Sequence, residues 1–228
     1  TGKVLNGDTG DIACDHYHRF KEDVALMKQL GVDGYRFSLS WSRLFPNGTV
    51  ENKNRAGFDF YDRVLEELLN NQIQPLITLY HWDLPQILQD KGGWQNREIL
   101  NWISDYAGEV AKHFGDRVTN FATINEPWVV AWLGYGIGVH APGISNRESA
   151  FVVAHHTNVA HGMMSRAMKS VKPSLQIGPV LNQTNFPIDD RSNEELLTAA
   201  EILDAVQNRW WTDAIFKGKY PEILLNRY

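Results

Sequence analysis

A glutamate that lies between an asparagine and a proline is the residue of this 228-residue sequence best suited to proton-transfer chemistry. Glu126 follows Asn125, and Pro127 and Trp128 come next. Cleavage of a glycosidic bond requires one carboxylic acid that protonates the leaving oxygen and a second carboxylate that attacks the sugar or activates water. The amide of Asn125 offers both a donor and an acceptor to a sugar hydroxyl. The pattern favours Glu126 as a proton donor, and the alternative is an ordinary surface glutamate at the end of a strand.

Alternating helices and strands are predicted to position these residues. Apolar residues at helical spacing predict helices over residues 15–30, 56–71, 98–114, 148–170 and about 194–208. Strands are predicted over residues 34–41, 74–82, 118–125 and 175–181. Parallel strands need long connections, and helices supply them, so the order predicts a parallel sheet with right-handed crossovers.

The residues at the strand ends help to choose between an open doubly wound sheet and a closed barrel. The polar and aromatic groups at these ends are Ser40-Trp41, His81-Trp82-Asp83, Asn125-Glu126 and Asn182. A barrel collects such groups at one mouth, whereas an open sheet concentrates them at one switch point. No Gly-rich phosphate loop follows any predicted strand. We therefore expect an α/β fold of the (β/α)₈ TIM-barrel type, with one domain over residues 1–228 in which only about strands 2–5 are represented.

A partial barrel of this kind would leave two strand edges unpaired. The sequence opens with a predicted helix that no strand precedes, so we expect the missing parts of the barrel at both ends. The remaining barrel segment, another copy or a complementary chain is expected to cover the edges.

The composition of the chain argues against nucleic acid and membrane as binding partners. The formal net charge of −5 and the scattered Lys and Arg residues argue against nucleic-acid binding. Cys14 is the single cysteine and cannot form an internal disulfide, which favours a reducing compartment. No apolar run reaches the roughly 20 residues that span a bilayer, and residues 1–11 do not resemble a signal peptide. We expect a cytoplasmic protein that binds a neutral small molecule, with no membrane partner.

The string Thr123-Ile-Asn-Glu-Pro127 resembles the acid/base motif of glycoside hydrolase family 1, the β-glucosidase and 6-phospho-β-glucosidase family. Further segments similar to signatures of that family are Asp15-His-Tyr-His-Arg19, Tyr35-Arg-Phe-Ser-Leu-Ser-Trp41, Leu79-Tyr-His-Trp-Asp-Leu-Pro85, Gly92-Gly-Trp94 and His140-Ala-Pro-Gly143. They agree with the family in order and spacing along nearly the whole chain, so together they are very specific.

The resemblance implies a role for each residue at the motif positions. Glu126 is implied to be the acid/base, and Asn125 is implied to bind the hydroxyl next to the reacting carbon. His81 is implied to bind another hydroxyl of the same ring. Trp82 is implied to wall that subsite and Trp128 to offer an aromatic face toward the leaving group, with packing alone as the alternative for both indoles.

Two parts of the family pattern are missing from the sequence. The nucleophile lies in a Thr-Glu-Asn-Gly string that does not occur here, and the first strand, with a Gln that grips the sugar, is also absent. Arg36 is implied to lie near that nucleophile, where a cation favours the ionised form. Asp83 and Glu51 are the nearest-looking substitutes, but neither matches the family position.

The implied function is therefore a retaining β-glycosidase that hydrolyses terminal β-linked sugars by double displacement, with this chain inactive by itself. The alternatives are a non-catalytic carbohydrate-binding protein or a half barrel that assembles with a complementary half. No cofactor or metal is expected, because the histidine spacings match no zinc pattern and read as hydrogen-bonded structural residues. These histidines are His16, His18, His155, His156 and His161.

Overall fold

The computed structural model describes residues 4–225, so residues 1–3 and 226–228 of the predicted domain lie outside the described residues. One four-stranded sheet with the order β1-β2-β3-β4 forms its centre, and every neighbouring pair of strands is parallel. The strands are β1 Gly34–Ser38, β2 Gln74–Tyr80, β3 Asn120–Asn125 and β4 Gln176–Val180. The parallel sheet predicted from the alternation of helices and strands is confirmed.

Helices connect and cover these strands. The α-helices are α1 His16–Leu30, α2 Trp41–Leu44, α3 Arg55–Asn70, α4 Gln86–Gln89, α5 Ile99–Phe114, α6 Arg147–Val171, α7 Glu194–Asp204, α8 Trp210–Lys217 and α9 Glu222–Leu225. Two π-helices cover Val129–Gly136 and Ala205–Arg209, and 3₁₀ turns cover Leu5–Gly7 and Gly93–Gln95. The five predicted helices are present, the last of them as α7 followed directly by the π-helix Ala205–Arg209. The additions that the apolar spacing did not indicate are α2, α4, α8, α9 and the π-helix Val129–Gly136.

Side chains on one face of the sheet pack against the helices. Phe37 of β1 stacks on Tyr61 of α3 with 6.2 Å between ring centroids. The buried residues of α3 recur at spacings of three and four, so the helix presents one apolar stripe to the sheet. Alternation along a strand sends the neighbours of Phe37, which are Arg36 and Ser38, to the opposite face. In a closed barrel that opposite face is the interior.

The first strand is shorter than predicted. β1 ends at Ser38, and Ser40 begins α2 as its N-cap, with its hydroxyl accepting from the Arg43 amide at 3.3 Å. Trp41 is therefore the first residue of a helix, and it is completely buried against Tyr106 with 4.9 Å between ring centroids. The prediction that Trp41 stands at the mouth of the barrel is wrong, because its indole belongs to the core.

The sheet has two open edges in the described part of the chain. β1 pairs with β2 alone, and β4 pairs with β3 alone. Such edges present unpaired peptide groups that can bind another strand. No helix within residues 4–225 is long and apolar enough to cross a membrane.

Candidate active site

The end of β3 places Glu126 through an irregular backbone. Ala122 pairs with Gly178 and Asn125 with Val180, so the register shifts immediately before the glutamate. Such irregularities bend a strand and re-aim its side chains. Glu126 then adopts a φ of +46°, while its amide donates to the Val180 carbonyl at 2.8 Å. A positive φ is unfavourable for a residue with a Cβ, and it persists where the surroundings fix the backbone, often at functional sites.

Asn125 is the last residue of β3 and brings a buried amide to the same place. It is 2% exposed, and its Oδ1 has no hydrogen-bond partner among the described residues. A buried polar atom without a partner is costly, so this oxygen is suited to accept from a ligand hydroxyl. The Asn125 carbonyl accepts a hydrogen bond from the Trp82 indole at 2.8 Å, which joins the end of β3 to the segment after β2.

His81 follows β2 and lies beside the other charged groups of the site. Its Nδ1 is 2.8 Å from the Ser38 hydroxyl of β1. Burial and the nearby Arg36 cation lower the pKa of His81, and the charges of Glu126 and Asp83 oppose this effect. The ring is therefore neutral near pH 7 and carries one N–H, so it can exchange hydrogen bonds with a sugar hydroxyl.

The two tryptophans of the site differ in their surroundings. Trp82 has a φ of +80°, is 37% exposed and lies 5.6 Å from the His140 ring between ring centroids. Trp128 is partly buried and packs against the hydrophobic core, and its Nε1 is buried without a hydrogen-bond partner among the described residues. Trp82 thus offers a surface to a ligand, whereas Trp128 combines packing with an orphaned donor.

The two substitutes for the second carboxylate lie in different places. Asp83 is partly buried near His81, and burial raises the pKa of its carboxyl even though the Ser40 hydroxyl and neighbouring backbone groups oppose that rise. Glu51 is exposed in the turn before α3, and no hydrogen bond or ion pair in residues 4–225 links it to Glu126. Burial thus disfavours the ionised Asp83 that a nucleophile requires, and Glu51 has no hydrogen bond or ion pair to Glu126 in the described part of the chain, so we assign the second carboxylate to neither residue.

A cavity of about 660 Å³ has Trp82 in its wall. Its wall includes Gln86 and Gln89 after β2 and His140 after the first π-helix. Glu126, Asn125 and His81 do not line it. The mixture of aromatic, amide and imidazole groups can accept a ring-sized polar molecule next to the site.

The histidines outside this site are hydrogen-bonded, as their spacing predicted. His16 pairs with Asp23, His18 with Asp15, His155 with Tyr220, His156 with the Trp94 carbonyl and His161 with Thr123. No group of three or more potential metal ligands converges within residues 4–225. Met164 and Met168 of α6 are completely buried.

Three contacts of the site were not predicted from the sequence. They are the Ser38–His81 bond, the Thr123–His161 bond at 2.8 Å and the Glu126 amide bond to Val180. The first had a usable signal, because alternation along the predicted strand places Ser38 on the same face as Arg36. The other two depend on the relative placement of distant segments, which local patterns do not encode.

Comparison with known proteins gives relatives along the whole sequence. The model of glycosyl hydrolase family 1 matches residues 1–228. Beta-glucosidase A of Acetivibrio thermocellus is 44% identical over 228 residues, which are 100% of this chain and 50% of that protein. Beta-glucosidase A of Thermotoga maritima is 45% identical over 226 residues, which are 98% of this chain and 50% of that protein. The chain thus spans about half the length of the curated relatives it matches.

Solved structures agree with this result. The β-glucosidase from Thermotoga maritima in complex with deoxynojirimycin superimposes with a TM-score of 0.95 and 44% identity, over 100% of this chain and 51% of that one. The four parallel strands therefore correspond to part of a (β/α)₈ barrel, which confirms the predicted fold class. Because the family model covers the sequence from its first residue to its last, the chain belongs to glycosyl hydrolase family 1.

Proposed function

We propose that this chain is the acid-bearing part of a retaining β-glycosidase that hydrolyses terminal β-linked sugars by double displacement. The observation that carries the proposal is the meeting of Glu126, Asn125 and His81 at the carboxyl ends of β2 and β3. The buried Oδ1 of Asn125 has no partner among the described residues, and the charge of Glu126 influences His81. A carboxyl beside a neutral imidazole and an amide is suited to hold a sugar and protonate its leaving oxygen.

Each residue has a proposed role in this reaction. Glu126 protonates the leaving oxygen in the first step and, as a base, deprotonates water in the second. Asn125 and His81 bind two hydroxyls of the reacting ring, and Trp82 walls that subsite. Trp128 faces the leaving group. Arg36, exposed on the interior face of β1, lies near the nucleophilic carboxylate and favours its ionised form.

The relatives support a β-glucoside as the substrate class. The two curated relatives described above are named beta-glucosidases, and the Thermotoga maritima enzyme has been solved with deoxynojirimycin and with glucoimidazole. The nucleophile is proposed to come from the remaining barrel segment or from a complementary chain. A cytoplasmic location stays a prediction that rests on the single Cys14.

A second candidate function is carbohydrate binding without catalysis. The buried Oδ1 of Asn125, which has no partner among the described residues, favours it, since this oxygen can bind a sugar hydroxyl whether or not a reaction follows. Under this alternative, the sugar-binding side chains are kept while no glycosyl-enzyme intermediate forms. Binding of deoxynojirimycin together with no turnover by the assembled barrel would identify this alternative.

Glu126→Gln in the assembled barrel tests the acid role. We expect the rate on substrates with poor leaving groups to fall by about 10²-fold or more, because general-acid catalysis contributes roughly 10² to 10⁴. The rate of the glycosylation step on activated aryl β-glucosides should fall far less, since these groups need little protonation. Steady-state and burst kinetics across a series of aryl leaving groups measure the difference.

Glu51→Gln is the matched control for this experiment, because Glu51 is exposed and remote from the site contacts. It should keep the wild-type dependence on the leaving group. Equal slowing of poor and activated substrates by Glu126→Gln would contradict the acid role.

A further inference from the structure

The hydroxyl of Ser38 makes a direct contact with a residue of the candidate active site. Ser38 is the last residue of β1, and its register partner on β2 is Thr78. His81 lies three residues after Thr78, and its Nδ1 is 2.8 Å from Ser38 Oγ. In residues 4–225 this is the one side-chain hydrogen bond that Ser38 makes.

The bond decides which ring nitrogen of His81 remains available. A neutral imidazole has one nitrogen that donates and one that accepts, and a hydroxyl can pair with either. Because Nδ1 is engaged by Ser38, Nε2 is left without a hydrogen-bond partner among the described residues. Since the Ser38 hydroxyl can donate or accept, this bond holds Nδ1 in either tautomer of the ring. It also fixes the plane of the ring.

We propose that Ser38 is a positioning residue, which holds the His81 ring through Nδ1 so that Nε2 faces the sugar. This inference rests on the proposed function for the identity of the ligand, and it assigns a role to Ser38, a residue of the segment Tyr35–Trp41 to which the family resemblance gave none. Ser38 does not touch the substrate. Its effect passes through His81.

The surroundings of His81 explain why a separate positioning group is needed. Arg36, Glu126 and Asp83 all act on the ring electrostatically from different segments, and their effects oppose one another. None of them forms a hydrogen bond to the ring in the described structure, whereas Ser38 does. A short side chain on a strand that is paired along its length has little freedom, so it is a precise anchor for the imidazole.

A double-mutant cycle tests whether Ser38 acts through His81. In the assembled barrel, Ser38→Ala should weaken binding of deoxynojirimycin about fivefold, the effect of losing one ordinary hydrogen bond. Ser38→Thr keeps the hydroxyl and should restore wild-type binding. In the background of His81→Ala, the Ser38→Ala change should have no further effect. Calorimetry measures the four affinities of the cycle and that of Ser38→Thr.

Ser42→Ala is the matched control, because Ser42 is exposed and its hydroxyl bonds Ser40 rather than His81. It should bind deoxynojirimycin as the wild type does. Additive losses from Ser38→Ala and His81→Ala would overturn the proposal, and so would unchanged binding in Ser38→Ala.

A ligand-free measurement separates this inference from the proposed function. The ¹⁵N chemical shift of His81 Nδ1 should change in Ser38→Ala, because this nitrogen loses its hydrogen-bond partner. An unchanged Nδ1 chemical shift in Ser38→Ala would overturn the proposal. The measurement needs neither turnover nor sugar binding, so it decides the role of Ser38 even if Glu126 fails its own test.

Discussion

Two residues of the candidate site, Glu126 and Trp82, adopt positive φ angles although neither is glycine. Glu126 directly follows β3, and Trp82 lies two residues after the end of β2. Hydrogen bonds support both positions: the Glu126 amide donates to Val180, and the Trp82 indole donates to the Asn125 carbonyl. The cost of an unfavourable backbone conformation is thus offset by contacts that also aim the side chains.

His161 provides a test at the scale of one residue. Burial lowers the pKa of this ring below its ordinary value, and its Nδ1 lies 2.8 Å from the Thr123 hydroxyl. Below about pH 6.5 the unfolded state binds a proton that the folded ring resists, so stability falls as the pH drops through this range and toward the lowered pKa. His161→Gln should therefore lose less stability between pH 7 and pH 5 than the wild type, as measured by urea unfolding.

His18→Gln is the control for this pH experiment, since His18 lies exposed at the start of α1. It should keep the steep acid dependence of the wild type. The same steepness in His161→Gln would contradict the role assigned to burial of this ring.

Local patterns in the sequence predicted the elements well because burial repeats with the period of each element. The stripe on α3 recurs every three or four residues, and the predicted and observed bounds of this helix differ by one residue. The predicted first strand ended at residue 41, three residues beyond the end of β1 at Ser38. The alternation of apolar and polar residues continues through Ser40 and does not show that this residue is the N-cap of α2. The sequence also did not predict the π-helix Val129–Gly136, since this segment is apolar on all sides and shows no amphipathic pattern.

Glycine contacts test the packing of two elements. A Cβ added at Gly57 near the start of α3 would lie 2.6 Å from the Arg43 carbonyl oxygen, and that backbone atom cannot move freely. Gly57→Ala should therefore destabilise the chain by about 1–3 kcal/mol, the usual cost of overpacking. Urea unfolding gives the free energy directly.

Gly162→Ala in α6 is the matched control, because its nearest neighbour is the end of the flexible Arg166 side chain at 3.8 Å. Alanine favours a helix over glycine by up to about 1 kcal/mol, so this change should be neutral or stabilising. A loss in Gly162→Ala as large as that in Gly57→Ala would show that the close approach to Arg43 is not the cause.

For the whole molecule, the sequence indicated the partial barrel through the order of its elements and through the groups at the strand ends. Glu126, Asn125 and His81 do meet, as their common position after parallel strands predicts. Their exact orientation could not be predicted, since it depends on the register shift between β3 and β4. The chain spans about half the length of its curated relatives, and the carboxylate that would work with Glu126 is proposed to lie in the other half.

Complementation tests this division of the barrel. The 228-residue chain alone should show no turnover of a chromogenic aryl β-glucoside, because the nucleophilic carboxylate of the double displacement is proposed to lie in the other half of the barrel. Adding the region that corresponds to the other half of its relatives should produce activity and raise the unfolding temperature, since both open sheet edges become paired.

The same mixture made with Glu126→Gln is the control for this assay. It should recover the gain in unfolding temperature without the activity on substrates with poor leaving groups. Turnover by the chain alone would contradict the assignment of the nucleophile to the other half.

The hydrogen bond from the Glu126 amide to the Val180 carbonyl has a consequence for biosynthesis. Ribosomes release a chain from its amino end, so Glu126 emerges well before the residue that anchors its backbone. The turn after β3 has to wait until β4 has left the exit tunnel and docked, with all of α6 made in between. Ribosome-bound nascent chains that stop before β4 should therefore carry a mobile Glu126, and this residue should become ordered during translation only when its neighbouring strand has been made.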